Sequence, residues 1–258
     1  MMKKYHMLLC TLMLFFVISG CNAGTRGAAT KDIELTVSAA ASLKDALEEI
    51  RDEYEKENER IDIHFNFGAS GTLQQQISQG APVDLFFSAA QDKFNALVKD
   101  GIIETERNLL GNEIVLVIPK QSKLKTHSFD DLRNVSKIAI GTPEVVPAGE
   151  YARETLKTIA LWDKVEPNIV YAKDVRQVLT YVETGNADAG IVYRTDAIRS
   201  KKAEIVAEAP PGSHQEIIYP MGIIKNSNHL TESQEFYQYL QGEKAMDIFE
   251  KYGFKVLD

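Results

Sequence analysis

The sequence contains few cysteines and comparatively few basic residues. Its 258 residues include two cysteines, Cys10 and Cys21, which are too few for a disulfide framework or a cysteine metal site. Acidic residues outnumber basic residues by 37 to 29, giving a net charge of −8, so the chain lacks the positive surface of a nucleic-acid binder. The hydrophobic content of 44% and charged content of 26% are those of a globular protein and exclude disorder as the main state.

Motifs for catalysis and metal binding are also sparse. The five histidines are scattered singly, and no pair has the spacing of a helical metal site. The segment 68–72 resembles a serine-hydrolase elbow, but Thr72 stands where that motif requires glycine. No glycine-rich stretch matches a P-loop or a dinucleotide fingerprint. A secreted hydrolase using Ser70 with one of the histidines remains as an alternative function.

The N-terminus has the features of an export signal. Lys3 and Lys4 precede an uncharged run from Met7 to Ser19, which is too short to span a bilayer. The run ends in Ile18-Ser-Gly-Cys21, which resembles a bacterial lipobox. We therefore expect a signal peptide over residues 1–20, lipid attachment at Cys21, and a flexible tether over residues 21–31.

The body of the chain alternates apolar strands with amphipathic helices. Strands are predicted over residues 33–37, 61–67, 83–88, 114–118, 138–140, 168–171, 189–192 and 217–224. Helices are predicted over a segment containing Leu43 and Tyr54, and over residues 73–78, 92–101, 148–161, 175–183 and 233–251. This order predicts two α/β lobes, each a mainly parallel sheet flanked by helices, with the last strand and helix returning to the first lobe.

Several helix starts fall directly after predicted strands, where open α/β sheets bind their ligands. These starts contain Ser42, Ser70, Ala148 and Val175. Ser42 is predicted to act as a helix N-cap, with Asp45 as its capping-box partner. From spacing alone, the favoured interpretation is that these positions are ordinary helix caps and that Tyr193 is an amphipathic residue at a strand end.

Seven segments of the chain form a series of recognisable motifs. They are Val37-Ser-Ala-Ala-Ala-Ser-Leu43, Phe67-Gly-Ala-Ser-Gly-Thr-Leu73, Gly80-Ala-Pro-Val-Asp-Leu-Phe-Phe-Ser-Ala89, Leu109-Leu-Gly-Asn112, Val146-Pro-Ala-Gly149, Lys173-Asp-Val-Arg176 and Gly190-Ile-Val-Tyr193. Together they resemble the successive signatures of the molybdate-binding proteins of ABC transporters. Their order and spacing match the family from about residue 33 to the C-terminus.

The resemblance implies a two-lobed, type II Venus-flytrap fold that closes on a tetrahedral oxyanion, without a cofactor and without catalysis. Lobe I would comprise residues 32–112 and 208–258, and lobe II residues 113–207. The only metal in the site would be the molybdenum or tungsten atom of the bound oxyanion, molybdate or tungstate. Carried over position by position, the ligand-binding residues would be Ser42, Ser70, Ala148, Val175 and Tyr193.

The resemblance also implies partners and a location. The protein would be a monomer, lipid-anchored on the extracytoplasmic face of the cell membrane, that delivers its ligand to an ABC permease and binds no nucleic acid. A receptor for another oxyanion such as sulfate is the nearest rival. Glu150 departs from the family pattern and is expected to point away from the ligand, and Lys173 is expected to lie at the rim of the site.

Overall fold

The computed structural model describes residues 33–123 and 126–257. The predicted signal peptide, the lipidation site at Cys21 and the tether lie outside the described residues. None of the helices in the described ranges is long and apolar enough to cross a membrane.

Two mixed β-sheets organise the described residues. The six strands of the first sheet are β1 (Ile33–Ala40), β2 (Ile61–Gly68), β3 (Leu85–Phe87), β4 (Ile103–Gly111), β10 (Ile218–Ile224) and β11 (Lys255–Val256). The five strands of the second sheet are β5 (Ile114–Pro119), β6 (Ile138–Gly141), β7 (Ile169–Ala172), β8 (Ala189–Tyr193) and β9 (Ala203–Glu208). The chain passes between the sheets twice, after β4 and after β9.

Helices connect the strands and cover the sheets. The α-helices are α1 (Lys44–Glu57), α2 (Ser70–Ser78), α3 (Gln91–Lys99), α4 (Pro147–Thr158), α5 (Trp162–Val165), α6 (Val175–Glu183), α7 (Arg194–Ala197), α8 (Leu230–Tyr239) and α9 (Glu243–Lys251). Short 3₁₀ helices occur at Ala41–Leu43, Phe129–Asn134 and Glu166–Asn168. The apolar face predicted for the first helix is buried at Ala46, Leu47, Ile50 and Tyr54.

The strand orders are β11-β4-β10-β3-β1-β2 and β7-β6-β8-β5-β9. Strand β1 pairs in parallel with β2 and β3, and β6 pairs in parallel with β7 and β8. In contrast, β10 runs antiparallel to β3 and β4, and β5 runs antiparallel to β8 and β9. The predicted α/β fold is confirmed, but each sheet is mixed rather than mainly parallel, because strands near the lobe crossings enter the sheets in the opposite direction.

The return of the chain to the first sheet is confirmed, because β10 lies between β3 and β4. The final helix is not continuous as predicted. It divides into α8, whose C-cap is Leu240, and α9, whose N-cap is Gly242 with extended backbone angles. Strands β4 and β9 were not predicted, since their sequences carry several exposed charged residues. The exact lobe boundaries stay a prediction.

A close approach of backbone sets the start of α4 against the end of β6. A Cβ atom added at Gly149 would lie 2.0 Å from the carbonyl oxygen of Gly141. No side chain larger than hydrogen fits between the first turn of the helix and the strand. Glycine at this position therefore fixes where the N-terminus of α4 lies.

We expect Gly149→Ala to lower the free energy of unfolding by about 3 kcal/mol, because the added methyl group forces the helix away from β6. Gly111→Ala is the matched control, since its added Cβ would have no neighbour nearer than 3.5 Å. Urea unfolding of both variants checks the expectation. Equal stability of the two variants would contradict the proposed close approach.

Candidate functional site

A small cavity lies between the two lobes at the carboxyl ends of β1, β2 and β8. Its lining is formed by Ala40, Ala41, Ser42, Gly68, Ala69, Ser70, Ala89, Val146, Pro147, Ala148, Asp174, Val175 and Tyr193. The cavity volume of about 10 Å³ is near the smallest that holds one water molecule, so the two lobes enclose this space tightly in the described conformation.

The structure brings together all five residues that the resemblance selected as ligand-binding. Each lines the cavity and is at least nine-tenths buried: Ser42, Ser70, Ala148, Val175 and Tyr193. The first two come from the first lobe and the other three from the second. Among the described lining residues there is no lysine, arginine or histidine, and the carboxylate of Asp174 accepts from the Gln177 N–H, so the groups suited to hold a ligand here are neutral.

Ser42 does not have the local role predicted from the sequence. It lies inside the 3₁₀ helix Ala41–Leu43, and the N-cap of α1 is Leu43, with no side-chain cap. The Ser42 Oγ instead lies 3.0 Å from the Tyr219 hydroxyl. The predicted capping-box partner, Asp45, pairs with Arg176. The N-cap prediction was wrong because a buried tertiary partner replaces the local bond.

Ser70 is the first residue of α2, after the N-cap Ala69. Its Oγ accepts a hydrogen bond from the Ala89 backbone N–H at 2.9 Å. This bond occupies an acceptor position of the hydroxyl and leaves its proton available for another group. Ser70 can therefore donate into the cavity that it lines.

Two further helix starts face the cavity from the second lobe. Helix α4 begins with Pro147 after the N-cap Val146, and α6 begins with Val175 after the N-cap Asp174. The Asp174 carboxylate accepts from the Gln177 N–H, two residues beyond Val175. First-turn N–H groups have no acceptor within their own helix and carry a partial positive charge. The N–H groups of Ala148 and Val175 are therefore suited to bind an anion.

Tyr193 lies at the end of β8 and is 1% exposed. Its hydroxyl is 3.5 Å from the Ala89 carbonyl oxygen. Burial raises the pKa of this phenol well above its usual value of 10, with smaller contributions from Tyr219, Tyr151 and Asp196. The hydroxyl therefore stays protonated and can serve as a donor.

Contacts between the lobes surround the cavity. The Gly71 N–H donates to the Val145 carbonyl oxygen at 3.0 Å, and a Cβ at Gly71 would lie 2.8 Å from the Val145 backbone. The Arg176 guanidinium binds both carboxylate oxygens of Asp45 at 3.0 Å. These contacts join α2 and α1 of the first lobe to the second lobe, so the described conformation is closed.

The two residues that depart from the family pattern lie outside the cavity lining. Glu150 pairs with Lys93 of the other lobe at 3.5 Å, which agrees with the expectation that its side chain points away from the ligand. Lys173 is exposed, as expected for a residue at the rim. Neither side chain removes a donor from the cavity.

Three polar residues around the site were not found by sequence reasoning. Tyr219 contacts Ser42 from β10, Asn112 contacts Tyr219 from the first lobe crossing, and Asp196 is buried beneath Arg176. Asn112 and Arg176 lie in segments that carry the family resemblance, but nothing in their local patterns indicates these partners. Tyr219 has no local signal, because its partner is 177 positions away in the chain.

No group of three or more histidine, cysteine, aspartate or glutamate side chains in the described ranges is arranged to hold a metal ion. The cavity is instead a set of neutral donors at helix starts and hydroxyls. Such a set matches the chemistry of a compact ligand that carries only acceptors.

Comparison with known proteins identifies the family. Residues 35–255 match the model of the bacterial extracellular solute-binding proteins. YvgL of Bacillus subtilis (strain 168), named as an ABC transporter substrate-binding lipoprotein, is 54% identical over 98% of this chain and 99% of its own. The molybdate-binding protein ModA of Escherichia coli (strain K12) is 38% identical over 99% of this chain and all of its own.

A solved structure has the same architecture. The substrate-binding domain named as part of a molybdenum ABC transporter of Clostridium difficile superposes with a TM-score of 0.68. It is 40% identical and covers 88% of this chain and all of the other. The two-lobed, type II fold is thus shared with proteins similar over nearly their whole length, and the chain belongs to the family of bacterial extracellular solute-binding proteins.

Proposed function

We propose that this protein captures molybdate, and also tungstate, in the cavity between its lobes and delivers it to an ABC permease. The observation that carries the proposal is the cavity itself, because it is small and lined by neutral hydrogen-bond donors from both lobes. The name of the similar Escherichia coli protein, which describes molybdate binding, also supports it. The ligand-binding groups are the hydroxyls of Ser42, Ser70 and Tyr193 and the N–H groups of Ala148 and Val175.

The proposed ligand-binding groups are all hydrogen-bond donors, which favours an anion that carries no proton. A fully deprotonated tetrahedral oxyanion offers acceptors on every side, and donors on rigid helix starts are already arranged to meet it. Hydrogen phosphate carries a donor of its own, which a site made of donors leaves unpaired. The site is therefore expected to reject phosphate even though its size is similar.

Two alternative functions have less support. A sulfate receptor requires the same donors around a smaller anion. Measured affinities, rather than the types of donor in the site, therefore distinguish it from a molybdate receptor. A hydrolase using Ser70 requires a base next to the hydroxyl, whereas the Ser70 Oγ receives a backbone N–H and none of the described lining residues is histidine. Titration calorimetry with molybdate, tungstate, sulfate and phosphate tests the proposal, and absence of molybdate binding would overturn it.

The proposed location is the extracytoplasmic face of the membrane, where a lipid on Cys21 holds a monomeric protein near its permease. Two observations support the anchor. They are the sequence Ile18-Ser-Gly-Cys21 and the name of the Bacillus subtilis relative, which describes a lipoprotein. The proposed ligand-binding groups lie between residues 42 and 193, so we expect ligand binding not to depend on Cys21.

An ionic cluster at the lobe interface supports closure around the ligand. Arg176, next to Val175, binds Asp45 of the first lobe and lies 3.9 Å from Asp196. The Asp196 side chain is fully buried, and neither of its carboxylate oxygens has a well-formed hydrogen bond in the described part of the chain. Burial raises the pKa of Asp196 to about 7, although Arg176 acts in the opposite direction.

The first prediction concerns the two serine hydroxyls. Ser42→Ala and Ser70→Ala should each weaken molybdate binding by roughly 30-fold, because each change deletes a hydrogen bond to a charged acceptor in a site without water. Calorimetry measures the affinity, and thermal unfolding without ligand checks that the fold is intact. Wild-type affinity in both variants would show that the anion binds elsewhere.

The second prediction concerns a backbone donor. Ala148→Pro removes the N–H at the start of α4, where proline is otherwise tolerated, so the protein should fold but bind molybdate much more weakly. Val175→Ala, which keeps its N–H, is the matched control and should change affinity by less than about threefold. Retention of the full molybdate-induced rise in melting temperature by a folded Ala148→Pro protein would exclude this helix start from the site.

The third prediction concerns pH. The raised pKa of Asp196 means that the folded state binds its proton more tightly than the unfolded state, whose ordinary value is 3.8. This carboxyl therefore destabilises the fold progressively as pH rises from 3.8 to about 7. The melting temperature of the wild type minus that of Asp196→Asn should be larger near pH 5.5 than near pH 8. An equal difference at both values would contradict a buried, proton-binding carboxyl.

A further inference from the structure

A buried chain of side-chain hydrogen bonds lies behind Ser42. The Tyr219 hydroxyl is 3.0 Å from the Ser42 Oγ and 3.0 Å from the Asn112 Nδ2. Tyr219 is fully buried and Asn112 is 9% exposed. Tyr219 itself does not line the cavity, but it contacts two residues that do: Ser42 through its hydroxyl, and Tyr193 with ring centroids 5.7 Å apart.

The orientation of the Asn112 amide follows from its other partners. Its Oδ1 accepts from the Glu113 backbone N–H at 2.9 Å, and its Nδ2 donates to the Thr195 Oγ1 at 2.9 Å. The group that faces Tyr219 is therefore the amide nitrogen, which can only donate. The Tyr219 oxygen must accept this bond.

The direction of the next bond follows in turn. Since the Tyr219 oxygen accepts from Asn112, its own proton is available to donate, and we assign the Ser42 Oγ, 3.0 Å away, as the acceptor of that proton. Burial raises the pKa of Tyr219 well above its usual value, so this proton is retained. A Ser42 oxygen that accepts from Tyr219 has its own proton free to point into the cavity.

We propose that Tyr219, oriented by Asn112, is a positioning residue that determines specificity by fixing Ser42 as a donor to the ligand. This inference rests on the proposed binding of an oxyanion at Ser42. Ser70 has an equivalent arrangement, because its oxygen accepts from the Ala89 N–H. The Ala89 backbone N–H imposes the donor role on Ser70. For Ser42, the hydrogen bonds from Asn112 to Tyr219 and from Tyr219 to Ser42 impose it, and we call these two bonds the relay.

The relay has a consequence for ligand choice. While Tyr219 donates to Ser42, the serine oxygen cannot easily accept a hydrogen bond from a ligand hydroxyl. Without the Tyr219 hydroxyl, Ser42 can rotate and either donate to an oxyanion or accept from a protonated one. Loss of the relay therefore weakens binding of molybdate and relaxes discrimination against hydrogen phosphate.

The test is a double-mutant cycle between Tyr219→Phe and Ser42→Ala, with affinities for molybdate and phosphate measured by calorimetry on the whole protein. Tyr219→Phe should weaken molybdate binding by about tenfold in the wild-type background and by less than about twofold in the Ser42→Ala background. The ratio of molybdate to phosphate affinity should fall in Tyr219→Phe.

Tyr54→Phe is the matched control. Its hydroxyl is also buried in the first lobe, but it has no hydrogen-bond partner among the described residues and contacts Phe236 and Tyr239 rather than the cavity. This variant should keep the affinity and selectivity of the wild type.

The outcomes separate this inference from the proposed function. Equal loss of affinity from Tyr219→Phe with and without Ser42 would mean that Tyr219 acts through packing or through Tyr193 rather than through Ser42, and would overturn the relay. Unchanged affinity and selectivity in Tyr219→Phe would overturn it as well. If wild type binds no molybdate, or Ser42→Ala has no effect, the proposed function or its site is wrong, and the relay is wrong with it.

Discussion

Buried hydrogen-bond donors need acceptors, and this requirement links the cavity to the closed arrangement of the lobes. In the proposed arrangement, Ser42 and Ser70 direct their hydroxyl protons toward the same small space that the starts of α4 and α6 face. A buried donor without a partner costs about 1–3 kcal/mol, so several of them together disfavour closure unless an acceptor fills the space. Closing of the lobes and binding of an acceptor-only ligand are therefore coupled in the proposed function.

The charged residues near the site have a different structural role from the neutral donors. Arg176 and Lys93 do not line the cavity, and they pair across the lobe interface with Asp45 and Glu150. Their charges therefore contribute to the contact between lobes rather than to a direct contact with the ligand. Because the chain as a whole is acidic, an anion gains nothing from long-range attraction, and selectivity must come from local geometry and from the number of protons that the ligand carries.

The sequence alone predicted most of the fold because periodicity and turn residues are local signals. Helix α6 has the predicted bounds, and most predicted strands differ only at their ends. Strand β4 was missed because an alternation interrupted by charged residues does not resemble a buried strand, and its pairing with β10 joins distant parts of the chain. The mixed strand directions were also missed, because the sequence of one strand does not specify which strand pairs with it or in which direction.

The positions in the candidate site followed from the family resemblance, but their local roles did not. Ser42 was predicted as a helix cap because serine before a helix usually is one. Its actual partner, Tyr219, becomes a neighbour only when β10 inserts into the first sheet. The relay through Asn112 and the ionic contact between Arg176 and Asp45 are likewise products of tertiary structure. Neither contact could be predicted from the spacing of residues in the sequence.

The most direct test is a crystal structure of the protein grown with molybdate, using anomalous scattering at the molybdenum absorption edge to locate the anion. The account predicts a single strong peak in the cavity between the lobes, with oxyanion oxygens at hydrogen-bond distance from Ser42, Ser70, Tyr193 and the N–H groups of Ala148 and Val175. A fully occupied molybdenum peak elsewhere, with this cavity empty, would contradict it.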